Sequence, residues 1–297
     1  MRARLLLAAI IVLGCAPDFD PMHLATGYRV LTIQAEPPEA VLDPAVLTGQ
    51  APPSALPVIE LTAFEANAEG AEREWEVCLF SLERLAGFEC LSPTLVAPLP
   101  GGEATTTLDV GAVLLEIFSR NAGQGPTDAG PPANAPAEND CALPFLALPD
   151  GSCLDRLDLQ VKLTAGPPDG RTVTAIKKVR LYLDREVTLN TNPTVRALTI
   201  EGTPAPGATV TLRVDLDDST LDRYVDVEGD TVTEVPVFNW YTTAGELTPG
   251  ATFADDRDTR LKLPRQVEGG AIEVFVVARD GEARGGVGFA RAMLTLP

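Results

Sequence analysis

The sequence predicts an all-β protein of two β-sandwich domains in tandem, the first enlarged by a short helix and loop insertions. Three observations predict it. Pro (26) and Gly (25) make up 51 of the 297 residues, a turn-rich composition that suits strands better than a helical bundle. Several short runs alternate polar and apolar residues with period two, as half-buried antiparallel strands do. Arg29-Val30-Leu31-Thr32-Ile33 returns 167 residues later as Arg196-Ala197-Leu198-Thr199-Ile200, and Trp75 returns 165 residues later as Trp240. The length suits two units of about 100–200 residues each.

The second unit, 195–297, shows the pattern most cleanly. From Thr209 to Leu216, Val210, Leu212, Val214 and Leu216 share one face. Ile272, Val274, Val276 and Ala278 repeat that spacing, and Arg279-Asp280-Gly281 turns the chain into a last strand from Val287 to Leu296. Phe238-Asn239-Trp240-Tyr241 places an aromatic residue where a central strand needs core volume.

The first unit, 28–187, follows the same order. Tyr28 to Ala35 opens it, Val58 to Phe64 continues it, and Glu74-Trp75-Glu76-Val77 carries the tryptophan. Leu157, Leu159, Val161 and Leu163 form a late strand. Pro167-Pro168-Asp169-Gly170 then turns into a final strand from Thr172 to Leu183. Between them Asp109 is placed to cap a short helix whose Val110, Val113, Leu114, Ile117 and Phe118 fall on one face. Residues 121–140, rich in Gly, Pro and Ala, lack the apolar bulk to order themselves and are predicted to form a mobile loop. A linker at 188–194, with Asn190, Asn192 and Pro193, is expected to allow limited hinge motion.

The repeated R-x-L-T-I opening, the mid-domain Trp and the Asp280-Gly281 hairpin resemble tandem immunoglobulin-like or PKD-like domains of bacterial envelope lipoproteins, over residues 28–297. The resemblance implies two immunoglobulin-like sandwiches serving as spacers, adhesive modules or assembly subunits. The inter-sheet cysteine pair of antibody domains is missing from the pattern.

Arg2 and Arg4 precede an apolar run, Leu5 to Gly14, that is shorter than the ~20 residues of a membrane span. It ends Val12-Leu13-Gly14-Cys15, which resembles the lipobox of bacterial lipoproteins, with Leu13 where that family favours Ala or Ser. The resemblance implies a signal peptide at 1–14, cleavage after Gly14, and diacylglycerol and fatty acyl chains such as palmitate on Cys15. Ala16 stands where an Asp would retain such a protein at the inner membrane, so the resemblance implies the outer membrane, periplasmic leaflet. Residues 15–27 then read as a lipidated tether in which His23, the lone histidine, is solvated.

Net charge is -19 and pI about 4.4, which excludes a nucleic-acid partner because phosphate binding needs clustered Lys and Arg. Without residues 1–14 the charge becomes -21, so a lipid must hold the chain at an anionic surface against its own electrostatics. Beyond Cys15, the even set Cys78, Cys90, Cys141 and Cys153 points to disulfides in an exported chain. Three connectivities are possible, of which Cys78–Cys90 and Cys141–Cys153 close the smallest loops. No close Cys pair suggests zinc.

Asp215, Asp217, Asp218, Asp222, Asp226, Glu228 and Asp230 crowd one segment, as Asp255, Asp256 and Asp258 do more weakly. A Ca²⁺ site and a solvated acidic edge both account for them, and no D-x-D-x-D-G spacing favours calcium. One His, no G-x-S-x-G, S-x-x-K or P-loop pattern, and 5% aromatic residues point away from an enzyme and from any cofactor. The expected function is therefore non-enzymatic: a lipid-anchored envelope protein with a structural or binding role, its partner an envelope component met through the 121–140 loop, the stapled loops or the 215–230 segment. The alternatives are a subunit of a larger envelope assembly and a calcium-stiffened adhesin.

Overall fold

Each unit closes a sandwich from two antiparallel sheets whose inner faces are the apolar positions of alternating strands. The structure is a computed structural model and describes residues 21–47, 50, 56–81, 89–121, 152–183, 186–225, 230–267, 270–281 and 285–296. In the first unit the strands are β1 (Arg29–Glu36), β2 (Glu39–Val41), β3 (Val58–Ala66), β4 (Glu72–Cys78), β5 (Val96–Pro98), β6 (Thr105–Asp109), β7 (Arg156–Gly166) and β8 (Val173–Tyr182). One sheet runs β1-β3-β6. The other runs β2-β8-β7-β4-β5, with only β2 parallel to its neighbour.

The second unit contains β9 (Val195–Glu201), β10 (Thr209–Leu216), β11 (Arg223–Val225), β12 (Thr231–Thr233), β13 (Val237–Thr242), β14 (Glu246–Thr248), β15 (Ala251–Phe253), β16 (Asp258–Lys262), β17 (Ala271–Arg279) and β18 (Val287–Thr295). Its sheets run β14-β16-β10-β9 and β15-β13-β17-β18, and β11 and β12 form a separate ribbon. In both units the first strand, the next long one (β3 or β10) and a later one share a sheet, while the tryptophan strand joins the last two strands in the other. That division is the immunoglobulin-like strand order, with Trp on the third main strand. The fold is all-β, in tandem immunoglobulin-like domains.

The two tryptophans anchor equivalent cores. Trp75 on β4 is 1% exposed and its indole N–H donates to the Glu103 carbonyl at 3.0 Å. Trp240 on β13 is fully buried and donates to Thr252 Oγ1 at 3.1 Å. A buried indole needs such a partner for its one donor. Around Trp75 pack Ile33, Ile59, Leu61, Leu108, Leu159, Val161 and Leu163; around Trp240 pack Val210, Leu212, Val214, Leu261, Val274 and Val276.

Helix α1 (Val110–Asn121) starts where Asp109 predicts it, the carboxylate accepting the Ala112 amide at 2.9 Å. Val110, Val113, Leu114 and Ile117 are buried in the first core. The helix therefore extends that core, with Leu115 left outward.

Candidate binding cleft at the joint

Each sandwich has an inner and an outer sheet face, and at the joint both faces of β17 are used. Val274, Val276 and Ala278 belong to the second core, whereas Phe275 and Val277 face the other way into a third cluster with Ala25, Leu31, Ala66 and Val287. Leu31 reaches that cluster because β1 shifts register against β3 between Val30 and Thr32, a bulge that re-aims side chains; Ile33 and Ala35 beyond it point into the first core. Phe64 of β3 stacks on Phe289 of β18, centroids 4.1 Å apart and planes 15° from parallel.

A polar seam runs beside this apolar one. Glu39 is fully buried and accepts the Asn190 backbone amide at 2.9 Å. Asn190 donates through Nδ2 to Asp280 at 2.7 Å, and Asp280 also accepts the Gly286 amide at 2.5 Å. Asn192 donates to the Ala35 carbonyl at 2.7 Å and accepts the Val287 amide at 2.8 Å. Gln34 donates to the Val287 carbonyl at 2.6 Å. The Lys177 ammonium donates to the Gly285 carbonyl. Burial pushes Lys177 down to about 8, Arg279 adds to the shift, and Asp280 and Glu39 oppose it. Gly286 and Gly288 let the linker press on β18: a Cβ on Gly288 would lie 2.1 Å from the Pro193 carbonyl oxygen. The segment 188–194, expected to act as a hinge, is bonded to both units, and Asn192 takes the place of water as partner for the Ala35 carbonyl and the Val287 amide.

The first described residues are also part of the joint. Leu24 bridges in parallel to Thr242 of β13; the Ala25 amide donates to the Thr242 carbonyl at 2.8 Å and the Thr242 amide to the His23 carbonyl at 3.0 Å. Asn67 donates to the carbonyls of Ala25 and Gly27 at 2.9 Å each, and Ala25 is 1% exposed. Residues 21–27, read as part of a tether with a solvated histidine, instead form a strap that lies on the second unit before the first begins, with His23 half-buried beside Gly250. Next to it the Tyr28 hydroxyl donates to Glu65 at 2.7 Å. Burial, then that carboxylate, raise its pKa far above the usual phenol range, while Arg73 grips the same carboxylate at 2.6 Å.

Strap and sandwiches leave a cleft of about 600 Å³ between them. One wall is Arg29 and Val30 of edge strand β1 with Val173, Thr174 and Ala175 of β8, which β2 pairs only from Arg180 to Tyr182. The opposite wall is Asn239 and Tyr241 of β13 with Gly250 and Ala251, and Met22 and His23 form the rim. The Arg29 guanidinium donates to the Met22 carbonyl. Among the described residues the lining carries Arg29 and His23 and no carboxylate. This is concave, mostly apolar and set between domains, as binding sites commonly are.

The predicted sites fall elsewhere. Cys78 and Cys90 are bonded, with Cα atoms 5.7 Å apart, and tie the end of β4 to the approach to β5. Cys153 is disulfide-bonded as well; Cys141, like Cys15, lies outside the described residues. So does the 121–140 loop beyond the helix end. Of the acidic 215–230 segment, 226–229 lie outside them, and carboxylates among the rest are engaged in ion pairs and hydrogen bonds. Asp217 holds Arg196 at 2.7 Å, Asp218 pairs with Arg257, and Asp222 accepts the Thr191 amide at 2.7 Å. Ser219 hydrogen bonding, then Arg196, keep Asp217 below the usual carboxylate range. Asp258 pairs with Arg213 at 2.8 Å. Among the described residues no group of three His, Cys, Asp or Glu side chains is placed to hold a metal. No helix among them is long and apolar enough to cross a membrane.

The joint had one signal in the sequence: Ala271 to Arg279 is apolar at Phe275 and Val277 as well as on the core face, which marks a strand covered on both sides. The strap had none, since the seven residues 21–27 show no period.

No protein-family model matches the chain, and no curated protein does. Among solved structures it is similar to the N-terminal Ig1-2 module of the Drosophila receptor protein tyrosine phosphatase DLAR, at 12% identity over 91% of this chain and 99% of that one, TM-score 0.25. It is similar also to a chimeric titin Z1Z2 (12% identity, 92% and 97% covered, TM-score 0.21) and to the D0-D1 domain of intimin (13%, 90% and 98%, TM-score 0.20).

Proposed function

We propose that the chain is a lipid-anchored cell-envelope protein whose two immunoglobulin-like units do non-enzymatic work, presenting a binding surface to another envelope component. The observation that carries this reading is the joint. A strap, a linker and a shared apolar cluster hold two sandwiches around one concave, mostly apolar cleft, the form that binding sites between domains commonly take. The anchor is supported by the order of Arg2, Arg4, the apolar run and Gly14-Cys15. Several acyl chains on one residue exceed what stable anchoring needs, at about 0.8 kcal/mol per buried CH₂.

Metabolic labelling with radioactive palmitate tests the anchor. The expected result is a labelled chain that begins at Cys15, and loss of label in Cys15→Ser. An unlabelled chain retaining residues 1–14 overturns it. Affinity isolation from detergent extracts tests the role: a partner lost in a variant that fills the cleft, such as Ala175→Trp, supports recognition there. A partner retained by that variant moves the binding surface elsewhere.

A further inference from the structure

The strap fixes where an anchor at Cys15 would hold the molecule. The Pro21 carbonyl accepts the Leu24 amide at 2.8 Å, and at His23 and Ala25 the chain is hydrogen-bonded to Thr242 of the second unit. Cys15 stands six residues before Pro21, a reach of at most about 20 Å. An arm anchored through such a lead would keep its joint, where the strap emerges, within about 20 Å of the bilayer. The exposed features there fit that placement. Met22 is 86% exposed at the rim, the cleft behind it is mostly apolar, and among the described residues its basic lining groups are Arg29 and His23. In a chain with 42 Asp and Glu residues, a recess lined without one among the described residues is a local reversal of sign.

Resting on the lipid-anchor reading, we infer that the joint cleft faces the membrane holding Cys15 and takes an anionic phospholipid from it, the headgroup at Arg29 and His23 and an acyl chain along the Val30, Val173 and Tyr241 walls. Charge complementarity selects the anionic headgroup, and the short lead brings the cleft within reach of it. The bound lipid is a second hold on the bilayer, one that offsets the repulsion of the remaining acidic surface.

A benzophenone amino acid placed at Met22 tests this in the acylated full chain, reconstituted into phosphatidylcholine vesicles with or without one-third phosphatidylglycerol. The control probe replaces Met293, exposed on β18 six residues beyond the joint residue Val287. The expected result is lipid adducts from position 22, enriched in phosphatidylglycerol, and few from position 293. Arg29→Gln should lower the phosphatidylglycerol adducts about fivefold, as one basic group near a charged surface does. His23→Gln, which leaves the strap's backbone bonds in place, is the second variant should Arg29→Gln not fold. Equal adducts from the two probes, or adducts at 22 indifferent to phosphatidylglycerol and to both variants, overturn the proposal. Palmitate on Cys15 is scored on the same samples: label without adducts overturns this inference alone, and no label overturns the anchor reading with it.

Discussion

Asn192 accepts the backbone amide of Val287 at 2.8 Å while donating to the Ala35 carbonyl and the Glu36 carboxylate at 2.7 Å each, so one side chain ties β1, β18 and the linker. Asn192→Ala leaves the Val287 amide and the Ala35 carbonyl without that partner. The expected cost is about 1–3 kcal/mol, the penalty for unsatisfied polar groups. Urea unfolding reads it as a lower midpoint in Asn192→Ala than in the wild type. An unchanged midpoint refutes the contribution of this bond.

Gly288 tests the same contact from the other side. Its missing Cβ makes room for the Pro193 carbonyl, and Gly288→Ala would place a carbon 2.1 Å from that oxygen. Backbone must move on one side or the other, at about 1–3 kcal/mol as for other overpacked sites. The melting temperature should fall and hydrogen exchange should quicken in residues 190–194 before it does in the sandwich cores.

How far the sequence reveals this architecture depends on the range of each interaction. Alternation in Thr209–Leu216 and Arg156–Gly166 places long strands because period two spans enough residues to be seen, and the paired tryptophans mark the same strand in both units. The helix is legible for a like reason: its cap and its apolar face lie within twelve residues. Strands of three residues, such as Glu39–Val41 and Ala251–Phe253, carry no readable period. The joint is hidden for a different reason. Asn190, Asn192 and Pro193 have the composition of a loop, and only Glu39, Ala35 and Asp280, far away in sequence, turn them into buried partners. His23 reads as tether until Thr242 is beside it.

Lys177 makes stability rise with pH across the range where its folded and unfolded states differ. Its folded pKa is about 8 against 10.5 for a free lysine, so between these values the unfolded chain binds more protons and raising pH favours the fold. The burial penalty is fully present below about pH 8 and relieved towards 10.5. Above pH 10 Tyr28 works the other way: its folded pKa is raised, so the unfolded phenol ionises first and stability falls. Denaturant titrations from pH 7 to 10 should show the rise, on the order of 2–3 kcal/mol for a shift of this size. Lys177→Met should flatten it and raise stability at pH 7, less whatever the orphaned Gly285 carbonyl costs.

The Cys78–Cys90 bridge closes a loop with a separation of 12 residues. Chain-entropy arguments assign such a loop about 3 kcal/mol. Because both cysteines lie in the first unit, the Cys78→Ser/Cys90→Ser double variant should destabilise that unit's core around Trp75 and leave the environment of Trp240 native. Tryptophan fluorescence in Trp75→Phe and Trp240→Phe backgrounds separates the two. Equal loss of signal from both indoles would mean that the joint transmits the damage and the units unfold as one body.

Ala25 is the position where the strap can be unhooked without touching either sandwich. It is 1% exposed among Leu31, Phe275 and Val287, so Ala25→Glu would bury a carboxylate with no opposite charge in that cluster. The strap should leave the surface, since its alternative is water, and the Leu24–Thr242 bridge should go with it. Residues 21–27 then become open to protease while both cores keep their unfolding midpoints to within about 1 kcal/mol, as expected for a segment of low local stability. Limited proteolysis with N-terminal sequencing reads the difference. A strap still protected in Ala25→Glu would show that the backbone pairing at Thr242, and not the apolar contact, holds it in place.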